Sequence, residues 1–250
     1  MVVDRQIIFR LKILILLTIA LFWTQEILAQ ESPVVQFDMD KIIIQQKKTP
    51  ADVSLKVFKG KISTADVVFK NPIIGKIEIS KSIVKFFPLV PFNLEQNYTL
   101  LYNDEISYFQ IPIASDYQRL EVQSIFPTQT TLPANILKWY VQFSKPVSST
   151  NIYDHIHFFD SNGVAISRAI LPLENALLDE DGTLLTVWIE PGRQKRGLGP
   201  NEKLGSVFEI GQQYSLVISK NLSDKKGVSM HGDKVHHFST TENDLSLIHI

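Results

Sequence analysis

The chain has 250 residues, in which 25 Lys and Arg stand against 26 Asp and Glu and leave a formal net charge of -1. This balance does not indicate nucleic acid or an anionic membrane as a partner. The sequence has no cysteine, which excludes disulfide bonds and the lipid-attachment cysteine of bacterial lipoproteins. We therefore expect a fold that depends on its hydrophobic core even in an oxidising compartment.

The first 29 residues have the pattern of a secretory signal peptide. A basic segment opens it, formed by Arg5, Arg10 and Lys12. An apolar run then continues to Trp23, and Ala29 offers a small residue at the cleavage point. The run is shorter than the roughly 20 residues that cross a bilayer, so we favour cleavage over a retained membrane anchor. We infer export from a bacterium to the periplasm, the cell surface or the extracellular space, with membrane contact only through the signal peptide before cleavage.

Short runs of alternating apolar and polar residues, separated by Gly, Pro, Asn and Asp, fill the rest of the chain. Val53, Leu55 and Val57, for example, can face one side of a strand while the residues between them face the other side. This period of two is what a half-buried antiparallel sheet requires. Six or seven such runs occur in each half. The pattern predicts an all-β protein with two tandem Ig-like β-sandwich domains, at 31–115 and 117–240.

A short linker, ASDYQR at 114–119, connects the two predicted domains. So short a connection limits bending between neighbouring domains. We therefore expect the pair to behave as a semi-rigid rod.

The two halves repeat a pair of elements that indicates the position of a late strand. IVKFFP precedes LEQNYTL in the first half, and LTVWIEP precedes IGQQYSL in the second. A tyrosine at the start of such a strand is typical of the tyrosine corner of Greek-key sandwiches, where its hydroxyl bonds a backbone group just upstream. We predict this structural role for Tyr98 and Tyr214.

The second copy of this connection is longer and strongly basic. Pro88 precedes its tyrosine by 10 residues, whereas Pro191 precedes its tyrosine by 23, so the second E–F loop has 13 additional residues. Arg193, Lys195 and Arg196 lie in it among glycines, which allow close backbone approach. Three interpretations remain open: contact with a neighbouring domain, which we favour because this loop shares a pole with the exit of the last strand; a solvated loop; or a site for a carboxylate, sulfate or phosphate.

Other polar clusters have simpler interpretations than a catalytic or metal site. His155 and His157 would share one face of a strand, but a metal site would need a third ligand. The acidic run at 179–181 precedes a glycine, which is ordinary turn chemistry rather than a calcium loop. Neither a Gly-x-Ser-x-Gly elbow nor a phosphate cradle nor an aromatic-basic stripe is present. We predict no catalytic residues, no metal, no cofactor and no nucleic acid partner, and we expect Trp139 and Trp188 in the core.

The segment ANILKWYVQFSKPVSSTNIYDHIHFFDSNG resembles the opening of bacterial Ig-like domains of the S-layer-protein type. The shared features are an apolar strand ending in Phe-Ser at 143–144, Lys-Pro-Val at 145–147, a second strand at 156–159 and an Asp-x-x-Gly hairpin at 160–163. The resemblance covers about 119–240. It implies a spacer or adhesion-type module of envelope and secreted proteins, and it supplies no catalytic residues.

The last six residues, LSLIHI at 245–250, read as a translation of the transposon-end DNA used in sequencing libraries. We expect this tail to be artefactual and more protein to follow in nature. The sequence thus predicts a non-catalytic cell-surface or secreted structural or binding module, of spacer or adhesion type. The open alternative is a pair of accessory domains in a larger secreted enzyme. The expected partner is a neighbouring domain C-terminal to residue 240 or another envelope protein.

Overall fold

A computed structural model describes residues 33–46, 53–195 and 197–244. The predicted signal peptide at 1–29, Arg196 and the predicted tail at 245–250 lie outside the described residues. The described strands form four sheets, two in each half of the chain. Each pair of sheets packs into a sandwich around its own hydrophobic core.

The first sandwich packs a four-stranded sheet against a three-stranded sheet. Neighbouring strands are antiparallel throughout. In spatial order, the larger sheet contains β1 (Val34–Phe37), β2 (Ile42–Gln45), β5 (Ile83–Pro88) and β4 (Gly75–Ser80). The smaller sheet contains β3 (Leu55–Lys59), β6 (Asn97–Tyr102) and β7 (Glu105–Gln110). A 3-10 turn at Val67–Phe69 lies between β3 and β4.

The second sandwich consists of two four-stranded sheets. The first contains, in spatial order, β12 (Leu177–Leu178), β13 (Leu184–Trp188), β10 (Lys138–Phe143) and β8 (Val122–Phe126). The other contains β11 (Ile156–Asp160), β14 (Gln213–Ile218), β15 (Lys234–Thr241) and β9 (Thr131–Pro133), and only the last pair is parallel. A 3-10 helix, Ile152–His155, precedes β11, and two short helices, α1 (Pro191–Gln194) and α2 (Gly199–Leu204), lie between β13 and β14.

The strand order is that of the immunoglobulin fold in both halves. In strand letters, the first sandwich has sheets A-B-E-D and C-F-G, the constant-type arrangement. The second has D-E-B-A and C-F-G, with a short additional strand, β9, beside G. The prediction of an all-β fold built from Ig-like sandwiches is confirmed, and the long connection between β13 and β14 is the E–F loop.

The core of the second sandwich follows from the alternation of its strands. Trp139, Val141 and Phe143 in β10 are at most 1% exposed and face inward. Trp188 in β13 lies on the outer face instead, where the ammonium of Lys138 is 4.3 Å from its ring centroid. The core position expected for Trp188 is therefore wrong. The buried residues of β13 are Leu185 and Val187, which alternate with the outward-facing positions and place Trp188 on the outer face.

Two equivalent tyrosines occupy the start of the F strands, β6 and β14. The hydroxyl of each accepts a hydrogen bond from the backbone N–H five positions upstream, at 2.7 Å for Tyr98 with Asn93 and at 2.8 Å for Tyr214 with Glu209. A phenylalanine six positions upstream packs on each ring, with centroids 4.9 and 5.0 Å apart. Burial raises the pKa of both phenols, so each remains a neutral hydroxyl. This is the tyrosine-corner geometry that the repeated pattern predicts.

Candidate functional site

The two sandwiches meet at a turn of the second that enters the core of the first. The turn has the sequence DKKGV at 224–228 and connects β14 to β15. Val228 has no exposed surface, and it belongs to the hydrophobic cluster of the first sandwich rather than to that of its own. The first sandwich therefore completes its core with a side chain from the second.

Asp224 fixes the shape of this turn and connects it to the linker. Its Oδ1 accepts hydrogen bonds from the backbone N–H groups of Lys226 and Val228, at 2.9 and 3.0 Å. Its Oδ2 accepts a hydrogen bond from the Tyr117 hydroxyl at 2.6 Å, and the Lys145 ammonium lies 3.8 Å away. Asp224 is 2% exposed. A carboxylate this deeply buried is tolerated only when such partners replace its water.

Tyr117 supplies a flat surface to the same junction. The Lys145 ammonium lies 4.2 Å from its ring centroid, a cation–π distance, and that ammonium also donates to the backbone carbonyl of Gln118. Burial, with the Asp224 carboxylate as its hydrogen-bond acceptor, raises the pKa of Tyr117 far above its usual range. The phenol therefore remains a hydrogen-bond donor to Asp224 at every physiological pH.

Arg119 joins three segments of the chain. Its NH2 group lies 2.7 and 2.8 Å from the two carboxylate oxygens of Glu95 in the first sandwich. Its NH1 group donates to the carbonyl of Ser229, which follows the inserted turn of the second sandwich, at 3.0 Å. The Arg119 side chain is 19% exposed and that of Glu95 is 39% exposed, so this ion pair lies at the solvent-facing edge of the junction.

Gly227 is required by the close approach of the two sandwiches. Its φ of 82° is in the left-handed region, and a Cβ placed on it would lie 2.5 Å from Cγ of Asn93. Beside it, the N–H of Leu94 donates to the carbonyl of Lys226 at 2.9 Å. Any larger residue at Gly227 would separate the turn from the first sandwich.

Sequence reasoning missed this junction, because its turn has the same pattern as two other turns in the second half of the chain. The pattern Asp-x-x-Gly occurs at 160–163, 179–182 and 224–227. In each turn one aspartate oxygen accepts hydrogen bonds from two backbone N–H groups. The first copy also has a valine after its glycine, Val164, which is 60% exposed, whereas Val228 in the third copy has no exposed surface. The sequence of the turn therefore does not tell a covered turn from an exposed one.

At the opposite pole, the E–F loop folds around Arg193. This residue is 5% exposed, and its Nε, NH1 and NH2 groups donate to four backbone carbonyls at 2.6 to 3.0 Å, those of Gly205, Ser167, Leu204 and Ser206. Burial and the neighbouring Arg168 lower the pKa of the Arg193 guanidinium. The exposed binding position expected for Arg193 is wrong, because the loop uses this side chain as its own internal hydrogen-bond donor.

Other cations form the outer surface of this loop. Lys195 follows α1 and is exposed, whereas Arg196 lies outside the described residues. Arg168 and Lys203 are also exposed and line a shallow depression of about 350 Å³ beside α2. The surface of the loop is therefore basic, as predicted. Of Arg193 and Lys195, the two predicted residues that the structure describes, only Lys195 contributes to that surface.

The E–F loop shares its pole with the last described residues. Gln194 donates through Nε2 to the carbonyls of Ala134 and Ile136, at 3.4 and 3.5 Å. Between these two, Asn135 exchanges two hydrogen bonds with the backbone of Asp244, at 2.8 and 2.9 Å. The loop and the chain after β15 therefore lie side by side, at the end of the second sandwich that faces away from the junction.

The remaining polar clusters have structural roles. His155 ends a 3-10 helix while His157 lies in β11, so they do not share a strand face as predicted; the Nε2 of His157 is 2.9 Å from the carbonyl oxygen of Asp154. The N–H of Leu184, with further donors, lowers the pKa of Asp179, which acts as a turn residue. Within 33–46, 53–195 and 197–244, no group of three His, Cys, Asp or Glu side chains is placed to hold a metal ion.

No protein-family model matches the sequence, and no curated protein matches it. Among solved structures, the chain is similar to the S-layer protein rSbsC(31-844), at 17% identity and a TM-score of 0.32, over 50% of this chain and 14% of that chain. It is also similar to native alpha-2-macroglobulin from Escherichia coli, domains MG0-NIE-MG1, at 12% identity and a TM-score of 0.31, over 50% of this chain and 33% of that chain. The I9-I11 tandem from titin is similar at 9% identity and a TM-score of 0.33, over 81% of this chain and 59% of that chain.

The chain thus spans less than two thirds of each of these three structures. Similarities this distant carry no functional information, so the fold assignment rests on the strand topology. That topology and the shared core at Val228 define a tandem Ig-like β-sandwich protein. Among the residues that the structure describes, no helix is long and apolar enough to cross a bilayer.

Proposed function

We propose that the protein is an exported, non-catalytic structural module in which two Ig-like sandwiches act as one rigid spacer. The spacer holds its first sandwich at a fixed angle to whatever contacts the far pole of the second. The partner at that pole is a neighbouring domain C-terminal to residue 240 or another envelope protein, and the site of action is the periplasm, the cell surface or the extracellular space.

One observation carries this proposal: the core of the first sandwich includes Val228 of the second. Two Ig domains joined by a linker alone would reorient freely, since interfaces between domains of one chain are usually modest and polar. Here, rotation about the linker would expose a buried valine and remove the Asp224 carboxylate from the Tyr117 hydroxyl. Both changes cost free energy, so the relative orientation of the sandwiches is a built-in property of the chain.

The E–F loop supports the second half of the proposal. Its interior is held together by Arg193, which leaves a defined outer surface rather than a loose connection. That surface carries Lys195 and Lys203 and lies beside Asp244, where the chain leaves the sandwich. A polar surface of this kind is typical of contacts between domains of one chain.

Distance measurements between spin labels test the rigidity directly. Because the chain has no cysteine, Lys56→Cys in β3 and Ser161→Cys in the second sandwich introduce a single labelled pair at exposed positions. Labelled protein is diluted into unlabelled protein, so that only distances within one chain are observed. We expect one narrow distance distribution, and a broad or multi-peaked distribution would refute the spacer.

The junction variant Arg119→Ala, combined with Val228→Ser, should broaden the distribution. Lys225→Ala is the matched control. It removes a cation from the same turn, but the Lys225 ammonium lies near Gly182 of the second sandwich and not at the junction contacts. An unchanged distribution in the junction variant would show that these contacts do not set the angle.

A further inference from the structure

The outer strand of the first sandwich, β4, has one unused edge. All six residues of β4 are exposed, and within the described part of the chain its only strand partner is β5. An edge of this length with free backbone groups is a template for pairing with another strand.

The hydrogen-bond phase of β4 identifies which backbone groups are free. The N–H of Leu89 donates to the carbonyl of Ile74, so residue 74 is a hydrogen-bonded position of the β4–β5 ladder. In an antiparallel ladder these positions alternate, so the even-numbered residues of β4 direct their backbone groups toward β5. The N–H and C=O groups of Gly75, Ile77 and Ile79 therefore point away from the sheet.

The side chains of β4 present an uncovered apolar strip. Ile77 and Ile79 lie opposite Phe86 and Val84, so they are on the core-facing side of the sheet. They nevertheless remain 39% and 52% exposed. Further exposed apolar side chains belong to the segments on either side of β4 and β5, namely Val68, Phe69, Ile74, Leu89 and Val90. Clustered apolar exposure of this kind marks protein contact surfaces.

The charges of β4 select one partner, a second copy of the same strand. Lys76 and Glu78 project from the outer face of the sheet, with the ammonium 2.7 Å from the carboxylate. If two copies pair antiparallel about Ile77, Lys76 of each lies opposite Glu78 of the other. Opposite charges across a strand pair are favourable, and like charges are unfavourable.

The alternative registers are worse. A centre at Glu78 places two carboxylates opposite each other, and a centre at Lys76 does the same with two ammonium groups. A twofold centre that falls between two residues pairs odd-numbered residues of one copy with even-numbered residues of the other. The free backbone groups of one copy would then face residues whose backbone groups already bond β5. A centre at Gly75 or Ile79 keeps the ladder phase, but it loses the pairing of Lys76 with Glu78 and leaves part of β4 without a partner. Pairing about Ile77 therefore combines the ladder, the opposite-charge pairs and the full length of the strand.

We propose that β4 is the contact strand of a symmetric homodimer, paired antiparallel about Ile77. The contact joins the two four-stranded sheets into one sheet and forms about six inter-chain backbone hydrogen bonds. A twofold axis perpendicular to the sheet keeps Ile77 and Ile79 of both copies on the same side, where they cover one another. In each copy, Glu78 lies between Lys85 of its own β5 and Lys76 of the partner.

Sedimentation equilibrium of the purified protein tests the proposal. We expect a monomer–dimer equilibrium that is weakened about tenfold or more by Lys76→Glu or by Glu78→Lys, because each change sets like charges opposite each other twice. The double variant Lys76→Glu with Glu78→Lys should restore dimerisation. Lys56→Glu, an equal charge change on β3, is the matched control and should have no effect.

Two further measurements keep the test decisive. Ile77→Pro removes an N–H that β5 does not use, so it should abolish the dimer while far-UV circular dichroism remains that of the folded protein. Amide exchange at Gly75, Ile77 and Ile79 should slow as the protein concentration rises, with no such dependence at Glu78. The proposal is overturned by a monomer up to ~1 mM, by a dimer that survives Ile77→Pro, or by capture of β4 by a different envelope protein in place of a second copy.

Discussion

The substitution Val228→Ala tests the shared core. Val228 belongs to the second sandwich in sequence, but its side chain packs in the core of the first. Val228 has no exposed surface and lies in the cluster of the first sandwich. The change leaves Asp224 and its hydrogen bonds in place, since Asp224 Oδ1 accepts from the backbone N–H of residue 228 rather than from its side chain. Its effect therefore isolates the apolar contact.

The expected cost is about 2 kcal/mol. Two buried carbon atoms are lost, at ~0.8 kcal/mol each, and a small cavity adds to this because the neighbouring side chains relax only partly. For a denaturant dependence on the order of 2 kcal/mol per molar urea, the unfolding midpoint of the first sandwich moves down by about 1 M. When the first sandwich is unfolded, the turn is exposed to solvent, so the second sandwich loses little.

The chain offers a separate probe for each sandwich. Its three tryptophans are Trp23, in the predicted signal peptide, and Trp139 and Trp188, both in the second sandwich. Tryptophan fluorescence therefore follows the second sandwich alone, whereas far-UV circular dichroism follows both. If the sandwiches unfold separately, we expect Val228→Ala to lower the midpoint of the first sandwich, which is seen by circular dichroism and not by fluorescence. If they unfold as one unit, we expect both signals to shift together. Val235→Ala, at a position 43% exposed, is the control. A shift confined to fluorescence, or no larger than that of the control, would refute the shared core.

Two further predictions concern the second sandwich. Arg193→Met should lower the free energy of unfolding by about 3 kcal/mol, because it removes a buried charged side chain that donates to four backbone carbonyls. Lys195→Met should change it by less than ~0.5 kcal/mol, and equal effects would contradict the internal role of Arg193. His236, whose ring centroid is 5.7 Å from that of Trp139, has its pKa lowered mainly by burial and also by the nearby His237 and Lys234. A depressed pKa means that the unfolded state binds the proton first, so the contribution of His236 is present above its ordinary pKa near 6.5 and is lost as the pH falls. Tryptophan-detected stability should thus decline from pH 7 to pH 5 more steeply in the wild type than in His236→Phe, and parallel curves would contradict this.

The alternating pattern was sufficient to predict the sandwiches, because a period of two leaves one face of each strand apolar and only a second sheet can cover it. The spacing from Pro191 to Tyr214 likewise located the E–F loop, since a tyrosine corner fixes the start of the F strand. The interior of that loop could not be predicted. An arginine among glycines looks solvated in sequence, and only the folded chain reveals that four carbonyls converge on Arg193.

The junction was beyond prediction for a related reason. Linker length limits how far two domains can separate, but it does not say which side chains cross between them. Val228 and Gly227 carry the contact, and each is individually an ordinary turn residue. Their meaning depends on Asn93, which is distant in sequence and reaches Gly227 only when both sandwiches are folded.

The proposed spacer would use both poles of the second sandwich, and this would constrain how the molecule assembles. Its junction turn follows β14, and its E–F loop precedes β14, so that one strand runs from the contact with the first sandwich to the opposite pole. An orientation fixed at one end is therefore carried along the β14 hydrogen bonds to the other. None of the junction contacts involves β4, so pairing through that strand does not compete with contacts at the poles. A spacer joined end to end at its poles and side to side through β4 would extend in two directions, and on this argument Arg119→Ala should alter the angle between sandwiches while leaving the dimer intact, whereas Ile77→Pro should do the reverse.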